Sequence, residues 1–290
     1  MEEEPLKFKP GLLSYKGLNL IRNVHKESYL DSLPEIEIQD SDIFVITYPK
    51  SGTTWMQYVL ALMFHSDELV GDHNKHAMRI VPWIEVEMDH STTRLPRLFA
   101  SHLLPSLLPQ GLRKRGKIIY FARNPKDVAV SFYHFHNVSR LLEDKEDFNT
   151  FLEEFVEGNG GFWQFSWFDH VKDWYSQMDN FDMLFFTYEE MKKDLKRTIV
   201  KVSTFLKKSF DEQTLNMIVE KSSFSNMQLT PNANLDTVSP ELFDSSKGQM
   251  LRKGKVGDWK TMFTVAQSEK FDKIYKEKMK GLPLEFVWDL

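Results

Sequence analysis

The stretch from Ile43 to Trp55 joins an apolar run to a helical pattern through small polar residues and one lysine. The apolar, β-branched residues from Ile43 onwards predict a buried strand of a parallel sheet. From Met56 onwards, apolar residues recur every three or four positions, which predicts a helix. Gly52 lets the backbone approach a ligand closely, and a helix N-terminus offers unpaired N–H groups and the positive end of a dipole. The unit therefore predicts an anion site, usually for a phosphate, with Lys50 beside it.

The residue order in this loop differs from that of the ATPase and GTPase P-loop. The P-loop ends in Gly-Lys-Ser/Thr, whereas here Lys50 precedes Gly52. The segment T-Y-P-K-S-G-T-T-W instead resembles the phosphosulfate-binding loop of the cytosolic sulfotransferases. Further matches extend the resemblance from about Tyr15 to Phe286. The resemblance implies that a phosphosulfate binds at Lys50, Ser51, Gly52, Thr53, Thr54 and Trp55.

A histidine ends a second short β-like run, R-L-F-A-S-H, which is followed by Pro105 and Pro109. Residues at the carboxyl ends of strands lie where ligands bind in open α/β sheets. Histidine suits general-base catalysis near neutral pH, although a structural histidine is the alternative. The resemblance identifies His102 as the catalytic base, because the family carries it in a K-T-H or S-S-H segment before L-P. Here Ala100 replaces the lysine of phenol- and oestrogen-type members, which argues against a phenol-type preference.

A third strand is predicted from Lys117 to Ala122, and R-N-P-K-D-V-A-V-S follows it with Pro125 in the first helical turn. Arg123 at the strand end and Ser131 in the helix can both reach a phosphate, while a salt bridge to a nearby acid is the alternative for Arg123. The segment resembles the one that binds the ribose phosphate of the nucleotide in the family. The resemblance further assigns the nucleotide base to Tyr188, Ser222, Phe224 and Met227.

The part of the chain after the fourth predicted strand, Asp182 to Thr187, alternates helical and polar stretches. Apolar spacing from Met191 to Phe205 predicts one long amphipathic helix, and Asp211 is a candidate cap for the next helix. Residues 226–250 are turn-rich and predict a mobile loop over the site. The following R-K-G-K-V-G-D-W is a surface charge cluster or, by resemblance, a clamp on the ribose phosphate formed by Arg252, Lys253 and Gly254.

The segment K-T-M-F-T-V-A-Q-S-E resembles the dimerisation segment of the family. It alternates apolar positions between charged ends, so it can pair with its symmetry copy around a two-fold axis. The expected homodimer is weak, because its interface would lie well below roughly 1,200 Å². The alternative is a monomer in which Phe263 and Val265 cover the core, and a basic amphipathic helix is predicted from Phe271 to Lys280. The matching residues are Lys260, Thr264, Val265 and Glu269.

Composition limits the class of protein. The chain has 290 residues, no dividing linker, a net charge of −5 and no cysteine. We therefore expect one domain over residues 1–290, with residues 1–40 as an N-terminal strap, and neither nucleic-acid nor membrane binding. The acidic start and the lack of a long apolar run indicate a cytoplasmic protein. No metal is expected, because the spacing of the candidate histidines is unlike a zinc motif: His65, His73, His76 and His90.

The expected fold is α/β, with a central, mostly parallel sheet flanked by helices. The resemblance implies a sulfotransferase that moves a sulfuryl group from 3′-phosphoadenosine 5′-phosphosulfate (PAPS) to a hydroxyl or amine of a small apolar acceptor, releasing the desulfated nucleotide PAP. His102 would take the acceptor proton and Lys50 would stabilise the leaving phosphate. Trp83 and Phe135 are expected to line the acceptor pocket, and Glu85 or Glu87 would favour an amine if either faces it.

Two other functions share a strand, loop and helix at a phosphate site. A nucleotide kinase would require Mg²⁺ held by a P-loop Ser/Thr, and the missing Gly-Lys-Ser/Thr argues against it. A non-catalytic nucleotide-binding protein would retain the nucleotide pocket but lack the catalytic residues. The presence of both Lys50 and His102 argues against that reading.

Overall fold

A computed structural model describes residues 12–16, 18–22, 24–71, 75–90, 93–158, 165–234 and 242–290. Four strands form a parallel sheet in the order Leu98–Ser101, Ile43–Ile46, Lys117–Ala122 and Met183–Thr187, and two more form an antiparallel hairpin near the N-terminus. The α/β architecture predicted from the sequence is confirmed. The strands are β1 (Leu12–Tyr15), β2 (Leu18–Ile21), β3 (Ile43–Ile46), β4 (Leu98–Ser101), β5 (Lys117–Ala122) and β6 (Met183–Thr187).

Helices cover both faces of the parallel sheet, and short 3₁₀ turns connect several elements. Within the described residues, no helix is both long and apolar enough to cross a membrane. The helices are α1 (Glu27–Ser32), α2 (Thr53–Phe64), α3 (Ser66–Gly71), α4 (Ala77–Ile80), α5 (Pro125–Val138), α6 (Phe148–Glu157), α7 (Trp167–Ser176), α8 (Tyr188–Lys193), α9 (Leu195–Phe205), α10 (Glu212–Lys221), α11 (Phe224–Leu229) and α12 (Val265–Lys278). The 3₁₀ turns are Leu33–Glu35, Pro105–Leu107, Gln110–Arg113, Met178–Asn180 and Asp258–Thr261.

The side-chain alternation of the strands divides the core into two layers. In β3, Phe44 and Ile46 face one layer, together with residues of α5, α7 and α12. Ile43 and Val45 face the other layer, which contains residues of α2 and α9. Every residue of β3 is buried, so the strand is a continuous apolar run rather than an alternating one. This burial explains why the short run could be recognised in the sequence.

The register of the parallel strands brings their carboxyl ends to one edge of the sheet. Ile46 lies opposite Ser101 on one side and Tyr120 on the other, and Ala122 lies opposite Thr187. The residues that immediately follow the strands therefore emerge side by side. They are Thr47, His102, Arg123 and Tyr188.

Two helix predictions were wrong because capping residues override the apolar periodicity. The helix predicted from Met191 to Phe205 is two helices, since Asp194 leaves the helical conformation (ψ 87°) and its carboxylate accepts a hydrogen bond from the Arg197 N–H. The helix predicted from Phe271 begins instead at Val265, because Thr264 forms a capping box with Gln267. The prediction of Asp211 as a cap is confirmed, since its side chain accepts from Thr214 N.

Three further boundaries differ from expectation. α2 begins at Thr53, one turn before the predicted Met56. The predicted loop 226–250 begins inside α11, because the Ser223 side chain caps that helix and Met227 is buried. Residues 235–241 of this loop and residues 1–11 of the predicted strap lie outside the described part of the chain.

Candidate active site

A cavity of about 320 Å³ lies at the edge where the strand ends meet. The hairpin, the 50–55 loop, α5 and the chain around residues 242–258 surround it. The structure therefore collects at one place residues that are far apart in the sequence. Those predicted as site residues and found lining the cavity are Lys50, Gly52, Thr53, Thr54, Trp55, Trp83, His102, Arg123, Ser131, Phe135, Tyr188, Phe224, Met227, Arg252, Lys253 and Gly254.

The remaining predicted site residues do not line this cavity. Ser51 is buried, and its hydroxyl has no hydrogen-bond partner among the described residues. The Ser222 hydroxyl donates to Ile218 O at 2.6 Å, while its main-chain oxygen accepts from Trp55 Nε1 at 2.7 Å. Ser222 therefore supports the wall of the site through Trp55. The predicted dimer residues are all exposed: Lys260, Thr264, Val265 and Glu269.

The loop between β3 and α2 requires an unusual backbone. Lys50 has φ 66° and Gly52 has φ 110°, both in the left-handed region. A Cβ on Gly52 would lie 2.6 Å from Phe121 Cε1 and 3.0 Å from Tyr188 Cδ2, so no side chain fits there. The backbone thus passes close to the aromatic residues and enters α2 with its first N–H groups at the cavity.

His102 follows β4 and is held in one tautomer. Its Nδ1 lies 2.7 Å from the main-chain oxygen of Thr47. Because a carbonyl oxygen only accepts, Nδ1 carries the proton and Nε2 keeps its lone pair. Burial lowers the pKa of His102 to about 3; the Thr47 bond opposes this shift, and the charge of Lys50 adds to it. The imidazole is therefore neutral at physiological pH, as a base must be before it accepts a proton.

The wall beside His102 comes from a segment that runs along β4. Trp83 forms a parallel bridge with Ala100, and its ring lies 4.5 Å from the His102 ring. Two residues further, Glu85 Oε1 accepts a hydrogen bond from His102 N at 3.0 Å. Burial raises the pKa of Glu85 to about 7, against the opposing effect of that bond. Glu87 is exposed and forms an ion pair with Lys26. Of the two glutamates, Glu85 therefore faces the cavity.

Lys50 lines the cavity near His102, on the side of the basic residues. Its Nζ is 4.1 Å from the centroid of the Phe135 ring and 3.7 Å from Met250 Sδ. An ammonium over an aromatic face is attracted by the ring quadrupole. This packing places the charge at the boundary between the apolar and the cationic halves of the cavity.

Arg123 follows β5 and is held mainly by carbonyl groups. It donates to Lys50 O at 3.3 Å and to Lys255 O at 3.2 Å, and it stacks 4.3 Å from the Tyr188 ring. Asp127 is 3.9 Å away, which is too long for a strong salt bridge. The buried Nε of Arg123 has no hydrogen-bond partner among the described residues. The guanidinium thus keeps capacity for an anionic ligand.

The segment R-K-G-K-V-G-D-W forms a compact turn with its own counter-ion. Asp258 Oδ2 is 2.5 Å from an Arg252 nitrogen, and Asp258 Oδ1 is 2.7 Å from Lys253 Nζ. Burial raises the pKa of Asp258, but the bonds from Lys253 and Arg252 outweigh it, so the pKa is lowered. A Cβ on Gly254, which has φ 59°, would lie 2.3 Å from the Phe224 ring. Glycine therefore lets this turn lie on Phe224.

The comparisons with known proteins agree with this geometry. The Sulfotransferase domain family matches residues 40–283. The amine sulfotransferase of Oryctolagus cuniculus is 43% identical over 287 residues, which covers 96% of this chain and 94% of the relative. Sulfotransferase 1A1 of Canis lupus familiaris is 38% identical, with 99% of both chains covered. The chain belongs to the sulfotransferase family. The prediction of a sulfotransferase is thereby confirmed.

A solved sulfotransferase structure is also similar. The crystal structure of mouse sulfotransferase SULT7A1 complexed with PAP has a TM-score of 0.76 and 33% identity, covering 93% of this chain and 95% of that one. Family membership decides against the nucleotide kinase considered from the sequence. In this sulfotransferase the two clusters predicted to bind anions, at the β3–α2 loop and at Arg123 with Arg252, line the same cavity as His102.

Several lining residues of the sulfotransferase cavity were not indicated by sequence patterns. His25 and Val24 come from the chain after the hairpin, and their position depends on how that hairpin docks. Asp258 stands within the basic segment R-K-G-K-V-G-D-W and was not itself predicted as a site residue. An acidic residue close to two basic residues nevertheless indicates a local ion pair. The other lining residues outside the predicted set include Ile21, Met78, Leu141, Leu242, Phe243 and Met250.

Proposed function

We propose that this sulfotransferase transfers a sulfuryl group from PAPS to a hydroxyl or amine of a small, largely apolar acceptor. The observation that carries the proposal is the single cavity that joins His102 to both anion-binding clusters. A base whose Nε2 keeps its lone pair beside a phosphosulfate site suits the attack of an acceptor on sulfur. The donor carries anionic groups at two positions, and the cavity offers cations at two positions.

The residues fit the donor. Backbone N–H groups of residues 52–54 and the Lys50 ammonium suit the 5′-phosphosulfate, whereas the predicted contribution of the Ser51 N–H is already taken by Tyr48 O at 3.2 Å. Arg123 lines the cavity, and its Nε is a buried donor without a partner among the described residues that a ligand can satisfy. We assign Arg123, Ser131, Arg252, Lys253 and Gly254 to the 3′-phosphate, and the adenine to the aromatic wall. That wall contains Trp55, Tyr188, Phe224 and Met227.

His102 and Lys50 divide the chemistry between them. His102 Nε2 removes the proton of the attacking oxygen or nitrogen, and the resulting imidazolium keeps its Nδ1–H on Thr47 O. Lys50 stabilises the charge that develops on the phosphate oxygen as the bond to sulfur breaks. The acceptor lies between Trp83 and Phe135, where the lining is mostly apolar.

Transfer from labelled PAPS to a panel of hydroxyl and amine acceptors tests the proposal. We expect the label to reach a small apolar acceptor without added metal. The control is His102→Ala, which should bind PAP and transfer the label at least about 10²-fold more slowly. Absence of transfer from PAPS to every acceptor, with PAP still bound, would contradict the proposed function.

We also propose one domain over residues 1–290, a cytoplasmic location and a weak homodimer through residues 260–269.

Phe263 packs into the chain's own core, while Val265 is 76% exposed and is the apolar residue left for a partner. Val265→Glu should shift a dimer to monomer without loss of turnover, because it places like charges beside the two-fold axis. Val200→Glu, at a 42% exposed valine of α9, is the matched control. Sedimentation that shows the same state for both variants and the wild type would contradict this interface.

A further inference from the structure

Glu85 has two oxygens in different situations. Oε1 accepts the His102 N–H at 3.0 Å and so supports the main chain of the base. Oε2 is buried and has no hydrogen bond of normal geometry among the described residues, while the Ser101 hydroxyl lies close enough to Glu85 to oppose the rise of its pKa. The residue is 1% exposed and lines the cavity beside Trp83 and His102. Positioning of His102 accounts for one oxygen only, and a poorly satisfied carboxylate oxygen beside a cavity points to contact with a ligand.

The acceptor end of the cavity is otherwise poorly suited to a cation. Its described walls are mostly aromatic and aliphatic, and the nearest fixed charge is that of Lys50. A buried ammonium needs a compensating carboxylate, because an apolar wall cannot replace its hydration. Glu85 lines this end, whereas Glu87, two residues further, points to solvent and pairs with Lys26.

Sulfonation of an amine differs from that of an alcohol in the number of protons removed. An alcohol loses one proton. An aliphatic amine arrives as an ammonium ion, so it must lose one proton to expose its lone pair and a second after nitrogen bonds to sulfur. We propose that Glu85 is the second proton acceptor of the site and that the chain thereby accepts protonated aliphatic amines. This inference rests on the proposed sulfuryl transfer from PAPS.

The steps balance as follows. Glu85 Oε2 takes a proton from the ammonium, and an N–H bond breaks to leave a neutral amine. The nitrogen lone pair forms a bond to sulfur while the bond from sulfur to the phosphate oxygen breaks, and that electron pair leaves on PAP. His102 Nε2 then takes the second proton from the positively charged nitrogen. The products are a sulfamate and PAP, with one proton on each of the two residues.

The groups around Glu85 are compatible with this role. From the other elements, Tyr29 faces it, and His25 and Lys50 lie near His102. Burial raises the pKa of Glu85 to about 7, so the carboxyl changes protonation near physiological pH. His25 and His102 have lowered pKa values of about 4 and about 3, so both are neutral where Glu85 titrates. Glu85 is thus the group here that can exchange a proton near neutral pH.

Three matched acceptors and one substitution test the inference. Cyclohexylamine is protonated at neutral pH, aniline is a neutral amine, and cyclohexanol is the hydroxyl analogue. In Glu85→Gln, the amide oxygen can still accept the His102 N–H but cannot take a proton. The ratio of kcat/KM for cyclohexylamine to that for cyclohexanol should fall by about 10²-fold. The ratio for aniline should stay at the wild-type value, and Glu87→Gln is the control substitution.

A pH profile gives a second, independent measurement. Between about pH 8 and pH 9, where Glu85 is ionised, wild-type kcat/KM for cyclohexylamine should be flat, while that of Glu85→Gln should rise about tenfold per pH unit as solution supplies the neutral amine. The wild-type profile alone tests the inference if the variant does not fold, since a tenfold rise per unit in the wild type would overturn it.

Other outcomes separate this inference from the proposed function. An equal loss for all three acceptors would overturn the inference and leave Glu85 as a positioning residue for His102. Transfer by the wild type to cyclohexanol but not to cyclohexylamine would also overturn it, while the proposed function would stand. Absence of transfer to every acceptor would overturn the proposed function and the inference together.

Discussion

The two ends of the cavity handle charge in opposite ways. At the acceptor end, His102 and Glu85 are 7% and 1% exposed, and the pKa of each is shifted toward its neutral form. At the phosphate end, the side chains of Arg252 and Lys253 are 25% and 42% exposed, and they share the counter-ion Asp258. The groups proposed for proton transfer are therefore shielded from water, while the groups proposed for anion binding stay charged.

The difference follows from the desolvation of each group. Burial disfavours the charged form, so an isolated buried histidine is a neutral base and an isolated buried glutamate holds its proton more tightly. Arginine and lysine at the phosphate end avoid this cost because a carboxylate and solvent keep them charged. A ligand phosphate can then bind to side chains that are already charged. The comparison predicts large effects on rate at one end and on affinity at the other.

Removal of the base should have the largest effect. His102→Ala should lower turnover by about 10²- to 10⁴-fold, because general-base catalysis contributes that range. PAP affinity measured by calorimetry should stay close to the wild-type value, since Nδ1 bonds to Thr47 and the ring faces the acceptor wall. Near-normal turnover in the variant would remove His102 from the mechanism.

Lys50 lies between the acceptor end and the phosphate end of the cavity. Its removal therefore tests whether a large effect on rate extends beyond His102. Lys50→Met should lower the single-turnover rate by about 10²- to 10³-fold, because a fixed cation stabilises the developing negative charge. Methionine can keep the contact with the Phe135 ring that the lysine side chain makes. Lys50→Arg is the charge-preserving control. A single-turnover rate equal to the wild type in Lys50→Met would refute the role.

Arg252 and Lys253 test whether affinity follows burial within the phosphate end. Arg252→Ala should weaken PAP binding by about 2 to 5 kcal/mol, as expected for one partner of a desolvated charge pair. Lys253→Ala should cost about 1 kcal/mol or less, because its side chain is more exposed. Calorimetric titration with PAP measures both. Equal losses of PAP affinity in the two variants, or a larger loss in Lys253→Ala, would contradict the expected dependence of affinity on side-chain burial.

Much of this site could be predicted because its residues follow buried strands. β5 has the predicted bounds Lys117 to Ala122, since short apolar runs between polar residues identify parallel strands well. The parallel arrangement then places the residues after each strand at one edge, which unites His102 and Arg123. These inferences need only local pattern and topology, and the resemblance supplied the roles.

Other features could not be predicted because they depend on contacts distant in sequence or on side-chain competition. His25 enters the cavity only through the docking of the N-terminal hairpin. Asp194 divides a helix because its carboxylate bonds to the backbone more favourably than another helical turn would. Asp258 is recognisable as a counter-ion only in the structure, where the turn brings its carboxylate into contact with Arg252.

The smallest expected effect is on stability at mildly acidic pH, and it also separates the two ends. The folded-state pKa of His102 is lowered from 6.5 to about 3, so below pH 6.5 the unfolded chain binds a proton that the folded chain does not. The free energy of unfolding therefore falls as pH decreases through this window, and His25, with a pKa of about 4, adds to the fall. Glu85 acts in the opposite direction, because its raised pKa favours the folded state at lower pH. Asp258 has a lowered pKa, so it affects stability only near and below its ordinary value of 3.8. Calorimetry from pH 7.5 to pH 5 should show a falling Tm, with a shallower slope in His102→Ala and an unchanged slope in Asp258→Asn. A steeper slope in His102→Ala than in the wild type would contradict the dry acceptor end.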